Sequence, residues 1–352
     1  MWVYWVICAI SVLGSYSSER IKIKTGEKYI SNAKLSIVFT SLPLLLISAI
    51  RYGVGSDYFQ YERLYSLIGT TSTSRYEPLF TAINRYLYKS GIPFQFFIIL
   101  TSVMFVFLVV IAIYRNSPNV AFSIFLLFSM CFFFQSLNIV RQMVGCAICL
   151  YSIKYIQENK LIKFLICIAI ACGFHFSAVI FLPVYFIYKI HIDLKKTIPF
   201  LVLFFIVQDR IVGLISNYAR TNLNYDEYFR NLSSASESGY ISLIINVFIY
   251  IFAYLTIDKE DENQRGYLNI QLITIALSMM NGQIPLLNRL RFYYAMPNII
   301  LVPMAVNGIS DKNTKKLAAF VICVLFFAYC LFIEGYMNQS ASFPYRTIFE
   351  KN

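Results

Sequence analysis

PFQFFIILTSVMFVFLVVIAIY, residues 93–114, decides the fold class, because none of its side chains is charged. An α-helix needs about 20 predominantly apolar residues to cross the hydrocarbon core of a bilayer. This stretch is long enough and apolar enough to do so. It predicts a membrane-spanning helix.

Similar apolar stretches recur along the 352-residue chain, which is 58% hydrophobic and 14% charged. Soluble domains carry about 25% charged residues, and a membrane β-barrel would show alternating segments of about 10 residues. The sequence therefore predicts an all-α, polytopic integral membrane protein with about 12 transmembrane helices. The predicted spans are 2–16, 34–50, 93–114, 118–136, 138–156, 161–174, 176–190, 197–212, 240–257, 267–283, 291–308 and 316–334.

The connections between these spans contain no soluble domain, so a single polytopic membrane domain covering 1–352 is expected. Its long extracytoplasmic loops are 51–92 and 213–239. Residues 76–92 are too polar to cross the bilayer and predict an amphipathic helix at its surface. His175 alone separates two of the spans, which predicts a broken or tightly paired element there.

The lysines indicate the orientation of the chain. The first loop, SERIKIKTGEKYISNAK (residues 18–34), carries five basic residues. By the positive-inside rule it is cytoplasmic. Counting spans from there makes the lysine clusters at 154–163, 189–196 and 312–316 cytoplasmic as well. Both termini are then expected on the outer, periplasmic side.

The arginines are distributed differently from the lysines. On this topology eleven of the fourteen arginines face outward, whereas fourteen of the sixteen lysines are cytoplasmic. Arginine presents a planar fork that binds phosphate or carboxylate through two hydrogen bonds. The outer face is therefore predicted to hold anions. The alternative is that these arginines pair with external acids or with anionic lipid headgroups.

Several ionisable residues are predicted at membrane depth close to the outer interface, where such groups are costly and usually functional. They are separated widely in the sequence, so their convergence on one interface is the main functional signal. These residues are Arg51, Arg141 with Gln142, His175, Arg289 and Arg291.

Each of these residues also has a structural interpretation. Arg51 and Arg63 have acidic neighbours, Asp57 and Glu62, with which they can pair. Arg141 can extend to the headgroups, and His175 can cap a helix or bond within the core. The tyrosines near Asp57 fit an interfacial aromatic belt as well as a sugar-stacking surface.

The sequence gives no pattern typical of a metal, cofactor or nucleic-acid site. The eight cysteines lie in apolar stretches, and the Cys146–Cys149 spacing has no second pair or histidine beside it, so small apolar packing residues are expected. The net charge of +12 is spread over many short loops, which disfavours a nucleic-acid surface. No metal and no cofactor are expected.

Five segments of the chain resemble the EpsG family, within the broader set of Wzy-type polysaccharide polymerases. They are IRYGVGSDYFQYERLY (50–65), YEPLF (76–80), NIVRQMVG (138–145), HFSAVIFLP (175–183) and FPYRT (343–347). The segments occur in the family's order and extend over nearly the whole chain. They identify the class of activity better than the substrate.

The resemblance implies a multi-pass glycosyltransferase of the bacterial inner membrane, similar to metal-independent C-type glycosyltransferases. Such an enzyme joins undecaprenyl-diphosphate-linked oligosaccharide repeat units into O-antigen or exopolysaccharide chains at the outer face. The resemblance also implies a chain-length regulator and a flippase of the same pathway as partners, and a bilayer that holds the lipid-linked substrate.

Under this hypothesis the leaving diphosphate gains negative charge, which arginines stabilise without a metal. Arg51, Arg141, Gln142, Arg289 and Arg291 are the expected diphosphate-binding residues. His175 is the first candidate for the catalytic base and Asp57 the second. The expected glycan-binding residues are Tyr58, Tyr61, Arg220 and Arg230.

The main alternative is a lipid-linked oligosaccharide flippase, which would bind the same diphosphate. A flippase needs charge along a path across the membrane, but residues 98–113 and 121–134 contain none. An O-acyltransferase using His175 and a non-enzymatic scaffold are weaker alternatives, since a scaffold leaves the outward arginines without a role.

Overall fold

The structure, a computed structural model, describes residues 1–22, 29–192, 197–199, 201–210, 213, 238–280 and 285–350, with the side chains of 17–22, 29–34, 238–240 and 285–288 left aside. Within these ranges the chain is helical and contains no strand, which confirms the all-helical prediction for that part. The described chain divides into two compact units, Met1–Val179 with Ser310–Asn352 and Ile180–Ile309.

The first unit begins with nine helices of the described chain. They are α1 (Trp2–Lys22), α2 (Tyr29–Ala49), α3 (Tyr58–Thr70), α4 (Pro78–Lys89), α5 (Phe94–Asn116), α6 (Val120–Ser129), α7 (Phe132–Asn138), α8 (Val140–Gln157) and α9 (Leu161–Phe174). Helix α5 packs against α2 and α8, α8 packs against α9, and α1 packs against α2 and α6. The amphipathic helix predicted within 76–92 is α4, which packs on α3, α5 and α9.

Local sequence accounts for the helix boundaries of this unit. Asn119 caps α6 by accepting a hydrogen bond from the Phe122 N–H at 2.9 Å. The predicted span 118–136 is bent by 54° between α6 and α7, where Cys131 adopts a left-handed backbone with φ of 65°. A second break at Ile139 separates α7 from α8. Asn138 is the last residue of α7, directly before the second break.

The second unit contains α10 (Val184–Ile187), α11 (Ser238–Thr256), α12 (Glu262–Met279), α13 (Pro285–Ala295) and α14 (Asn298–Asn307), and residues 201–210 are also helical. Buried amides join its helices: Asn246 Nδ2 donates to Ser278 Oγ at 3.1 Å, and Gln271 Nε2 donates to the Asn246 carbonyl at 2.9 Å. In a membrane the lipid and the neighbouring helix are equally apolar, so hydrogen bonds between helices help to hold them together.

The chain then returns to the first unit through α15 (Lys312–Cys330), which continues into a π-helical turn, Leu331–Tyr336. Asp311 caps α15 by accepting from the Thr314 N–H at 2.7 Å. A short 3₁₀ helix, Ile348–Glu350, closes the described chain. The irregular segment between these two elements, together with the first residue of the 3₁₀ helix, forms what we call the C-terminal strap, residues 338–348.

Two described helices are long and apolar enough to cross a membrane, Phe94–Asn116 and Lys312–Tyr336, and the bent α6–α7 pair would form a third span. The predicted span 176–190 is not one helix, because a 3₁₀ helix at Phe176–Phe181 precedes the short α10. Pro183 lies at this junction and cannot donate a backbone hydrogen bond. The total of about 12 spans and the orientation of the termini stay predictions.

Candidate functional site

The loop that carries Asp57 lies directly on the end of α7. This Arg51 loop, residues 50–57, has positive φ angles at Gly53 (63°) and Gly55 (96°). A Cβ added to Gly55 would lie 2.5 Å from the carbonyl oxygen of Leu137. Only glycine combines this backbone conformation with so close an approach, which explains the Gly-x-Gly spacing.

Asn138, the last residue of α7, fixes the position of Asp57. Its side-chain oxygen accepts hydrogen bonds from the Asp57 N–H at 3.1 Å and from the Ser56 hydroxyl at 2.8 Å. Asp57 is half-buried and immediately precedes α3. Burial raises the pKa of the Tyr61 hydroxyl, and the negative charge of Asp57 raises that pKa further.

Arg51 points into the protein. It is 1% exposed, and its Nη1 donates to the Ser48 carbonyl at 2.6 Å and to Ser102 Oγ at 3.2 Å. The side chain therefore joins the end of α2 to α5. This burial disagrees with the expectation that Arg51 contacts a diphosphate directly, because its guanidinium has no exposed face.

The C-terminal strap holds the other side of the Arg51 loop. The Tyr52 N–H donates to the Arg346 carbonyl, the Gly55 N–H donates to the Ala341 carbonyl, and the Ile348 N–H donates to the Ile50 carbonyl, each at 2.9 Å. Arg51 and Thr347 form an antiparallel bridge. The first and last family-like segments are thus paired through their backbones.

Three charged or ionisable side chains from separate family-like segments meet in this unit. We call Glu77, Arg141 and His175 the Glu77 cluster. Glu77 Oε2 accepts a hydrogen bond from Arg141 Nη1, and Glu77 Oε1 lies 2.9 Å from His175 Nδ1. Oε1 also accepts from the Phe176 N–H at 3.3 Å.

Glu77 is ionised in this environment. Burial alone raises the pKa of its carboxyl, but the hydrogen bond with His175 and the charge of Arg141 together lower the pKa to about 2. An ionised carboxylate only accepts hydrogen bonds, so the proton of the contact must be on His175 Nδ1. Nε2 of a neutral His175 is then the basic nitrogen.

Arg141, in the first turn of α8, is partly enclosed by aromatic rings. The centre of its guanidinium lies 5.2 Å from the centroid of the Tyr76 ring and 4.9 Å from that of Phe80. These distances suit cation–π contacts. The side chains of Arg141 and His175 are 19% and 25% exposed, so both are near the surface of the unit.

The tyrosines expected to stack on sugar are packed inside the unit. Tyr58 is 2% exposed and Tyr61 is 6% exposed, and both belong to a hydrophobic cluster with Phe80, Phe94 and Phe97. Their rings therefore have no free face for a sugar. Gln142, on α8, is also buried, with 3% exposure.

Arg289 and Arg291 lie on α13 of the second unit, where Arg289 is exposed and Arg291 half-buried. Arg220 and Arg230 lie outside the described residues. Over the ranges given above, no group of three or more His, Cys, Asp or Glu side chains is arranged to hold a metal ion. Metal independence stays a prediction.

Glu77 is the residue that the sequence analysis did not assign to the site. Its signal was present in YEPLF, because a glutamate followed by proline is a typical start of a helix. Glu77 is the residue before α4, and Pro78 is the first residue of that helix. Because Pro78 fixes the point at which α4 begins, the backbone of Glu77 is held in place although Glu77 lies outside the helix.

Comparison with protein families supports the assignment that these segments suggest. The model described as the EpsG family matches residues 34–347, a range that contains the Arg51 loop and the whole Glu77 cluster. Comparisons with curated proteins and with solved structures gave no match.

Proposed function

Because the chain belongs to the EpsG family, we propose that it is a membrane glycosyltransferase that polymerises polysaccharide repeat units. Its substrates would be oligosaccharide repeat units linked to undecaprenyl diphosphate. The reaction would take place at the outer face of the bacterial inner membrane and give O-antigen or exopolysaccharide chains.

The observation that carries this proposal is the Glu77 cluster, in which a basic nitrogen and a guanidinium are held by one carboxylate. Polymerisation requires both groups, a base for the acceptor hydroxyl and a cation for the departing diphosphate. All three members come from family-like segments, and all lie in the first unit.

The proposed step is a displacement at the anomeric carbon of the donor glycan. The acceptor hydroxyl oxygen bonds to that carbon while its proton passes to His175 Nε2. The bond between the carbon and the diphosphate oxygen breaks, and undecaprenyl diphosphate leaves with the electron pair. Arg141 would stabilise the charge that develops on it, because a preorganised cation in a partly dry site is most effective there.

The second candidate for the base and the further diphosphate-binding residues are proposed from the sequence. Asp57 is the second candidate for the base, and its backbone N–H donates to the side-chain oxygen of Asn138. Arg289 and Arg291 are proposed as further diphosphate-binding residues because arginine suits bidentate contacts with phosphate. Arg51 is left out of the proposed contacts, since it is buried against Ser48 and Ser102.

A strain lacking this protein tests the proposal. We expect its surface glycan to be reduced to a single repeat unit on its lipid anchor, since units are still made and exported but no longer joined. Glycan length on a gel and mass spectrometry of the lipid-linked material measure this. Complete loss of surface glycan would instead indicate a flippase.

Complementing that strain tests the assigned groups. Wild-type protein should restore long chains. His175→Ala should give short chains because it removes the proposed base, and Arg141→Lys should do so because lysine cannot contact the diphosphate through two parallel hydrogen bonds. Arg63→Lys is the matched control, since Arg63 is exposed and its Nε donates to the Phe59 carbonyl at 3.4 Å. Normal chain length in both site variants would contradict the proposed roles.

A further inference from the structure

We propose that Glu77 is a positioning residue that selects the reactive tautomer of His175 and holds Arg141 beside it. This inference rests on the proposed function and adds a third participant that does not itself touch the reacting atoms. The charged contacts of Glu77 go to the two groups that the mechanism uses.

The tautomer argument follows from the charge of Glu77. Neutral imidazole carries one proton, and the partner of one ring nitrogen decides which nitrogen holds it. The Glu77 carboxylate, 2.9 Å from Nδ1, keeps the proton there. The lone pair is then on Nε2, the atom that must receive the acceptor's proton. With the opposite tautomer, Nε2 would carry a hydrogen and could not act as a base.

The same carboxylate also fixes the separation of the two functional groups. Its two oxygens are used separately, Oε1 for His175 and Oε2 for Arg141. The position of the carboxylate is itself restricted, because the Pro78 ring locks the first turn of α4 and the Thr81 N–H donates to the Glu77 carbonyl at 2.9 Å. The base and the cation are therefore both placed relative to one rigid helix start.

An ion pair that only stabilises the fold would behave differently from a positioning residue. Removing a structural pair lowers stability whether or not His175 is present. Removing the charge that selects the tautomer lowers turnover through His175, and so has no further effect once the imidazole is gone. This difference makes the two roles separable by experiment.

The test uses full-length protein in membrane vesicles and the lipid-linked repeat unit extracted from the deletion strain. In Glu77→Gln the side chain keeps its size and its carbonyl oxygen can still accept from Arg141, but its amide group can donate to His175, so the tautomer is no longer selected. We expect kcat to fall by about 100-fold or more, within the usual contribution of general base catalysis. KM should change little, because no contact with the substrate is lost.

His175→Ala and the double variant complete a double-mutant cycle with Glu77→Gln. In a His175→Ala background, Glu77→Gln should lower the remaining turnover by less than about 3-fold, as groups acting as a unit are not additive. Glu62→Gln is the matched control, because Glu62 lies on neighbouring α3 outside the cluster and should keep wild-type turnover. Thermal melting of each variant in detergent checks that it is folded.

Equal losses of turnover from Glu77→Gln with and without His175 would overturn the inference. Wild-type turnover in folded Glu77→Gln would do the same, and so would wild-type turnover in His175→Ala. Wild-type vesicles that lengthen no glycan would overturn the proposed function itself, and this inference with it. The wild-type reaction thus separates the two kinds of failure.

Discussion

Gly55 has the most restricted backbone position near the site. Its φ of 96° is strained for any residue with a side chain, and an added Cβ would lie 2.5 Å from the Leu137 carbonyl oxygen. The Leu137 carbonyl is part of α7, and the strap holds the backbone of residue 55. Neither can therefore shift easily to relieve the contact. The contact therefore determines how closely the Arg51 loop approaches Asn138.

Gly55→Ala is expected to destabilise the protein by at least about 2 kcal/mol, since backbone strain and a steric clash add together. Gly91→Ala is the control, because Gly91 also has a positive φ (70°) but no atom within 4 Å of the added Cβ. It should cost only the backbone term, about 1 kcal/mol. Thermal unfolding of both variants in detergent measures the difference, and equal losses would show that the close contact with Leu137 is unimportant.

At the residue scale, the sequence identified individual side chains better than their partners. Arg141 and His175 could be named because ionisable residues next to apolar segments are unusual. Glu77 could not be joined to them, since it lies 64 residues from Arg141 and 98 from His175. Tyr58 and Tyr61 were placed at the surface, although their spacing with Leu64, Tyr65 and Ile68 is typical of the buried face of a helix.

At the scale of elements, the C-terminal strap forms backbone hydrogen bonds with the Arg51 loop, as a short strand would, although its own conformation is irregular. Its backbone pairs with the Arg51 loop, and the hydroxyl of its Tyr345 donates to the Ile47 carbonyl at 2.8 Å. The Ser342 carbonyl of the strap accepts a hydrogen bond from the Tyr4 hydroxyl of α1 at 3.0 Å. Buried Glu334 holds the start of the strap by accepting from Ser340 Oγ at 2.7 Å.

Tyr345→Phe should therefore weaken the attachment of the strap. We expect a loss of about 1 kcal/mol in the free energy of unfolding, the usual contribution of one hydrogen bond. We also expect shorter glycan chains, because the strap holds the loop that carries Asp57. Tyr336→Phe is the control, as the Tyr336 side chain is 83% exposed. Unchanged stability and chain length in Tyr345→Phe would show that the backbone pairs alone hold the strap.

The helices were predictable where a long apolar stretch is uninterrupted. The predicted span 93–114 corresponds to α5, Phe94–Asn116. Hydropathy did not show the bend at Cys131 or the short elements after His175, because a sliding average does not report backbone conformation. The irregular strap was also invisible to it, since its stability comes from contacts with residues far away in the sequence.

At the scale of the whole molecule, the direction in which the chain crosses the membrane is still a prediction based on its lysines. It can be measured by thiol labelling of intact cells. Ser72 and Ser310 are both exposed and lie in connections predicted on opposite sides. Ser72→Cys should react with a membrane-impermeant reagent, whereas Ser310→Cys should react only after the cells are opened.

The unmodified protein is the control for this labelling, because it contains eight cysteines, five of them buried. Any reaction above its background reports the introduced thiol. Labelling of Ser310→Cys from outside would reverse the orientation. Glu77, which lies in the same predicted outer connection as Ser72, would then be on the wrong side for lipid-linked repeat units.

The pairing of the strap with the Arg51 loop also has a consequence for biosynthesis. Residues 50–57 leave the ribosome long before residues 338–348 do, because the two segments are far apart in the sequence. Until then the Tyr52 and Gly55 amides have no strap carbonyl to bind. The loop therefore reaches its final shape only after the intervening helices have been inserted, so an incomplete nascent chain does not yet have the finished site.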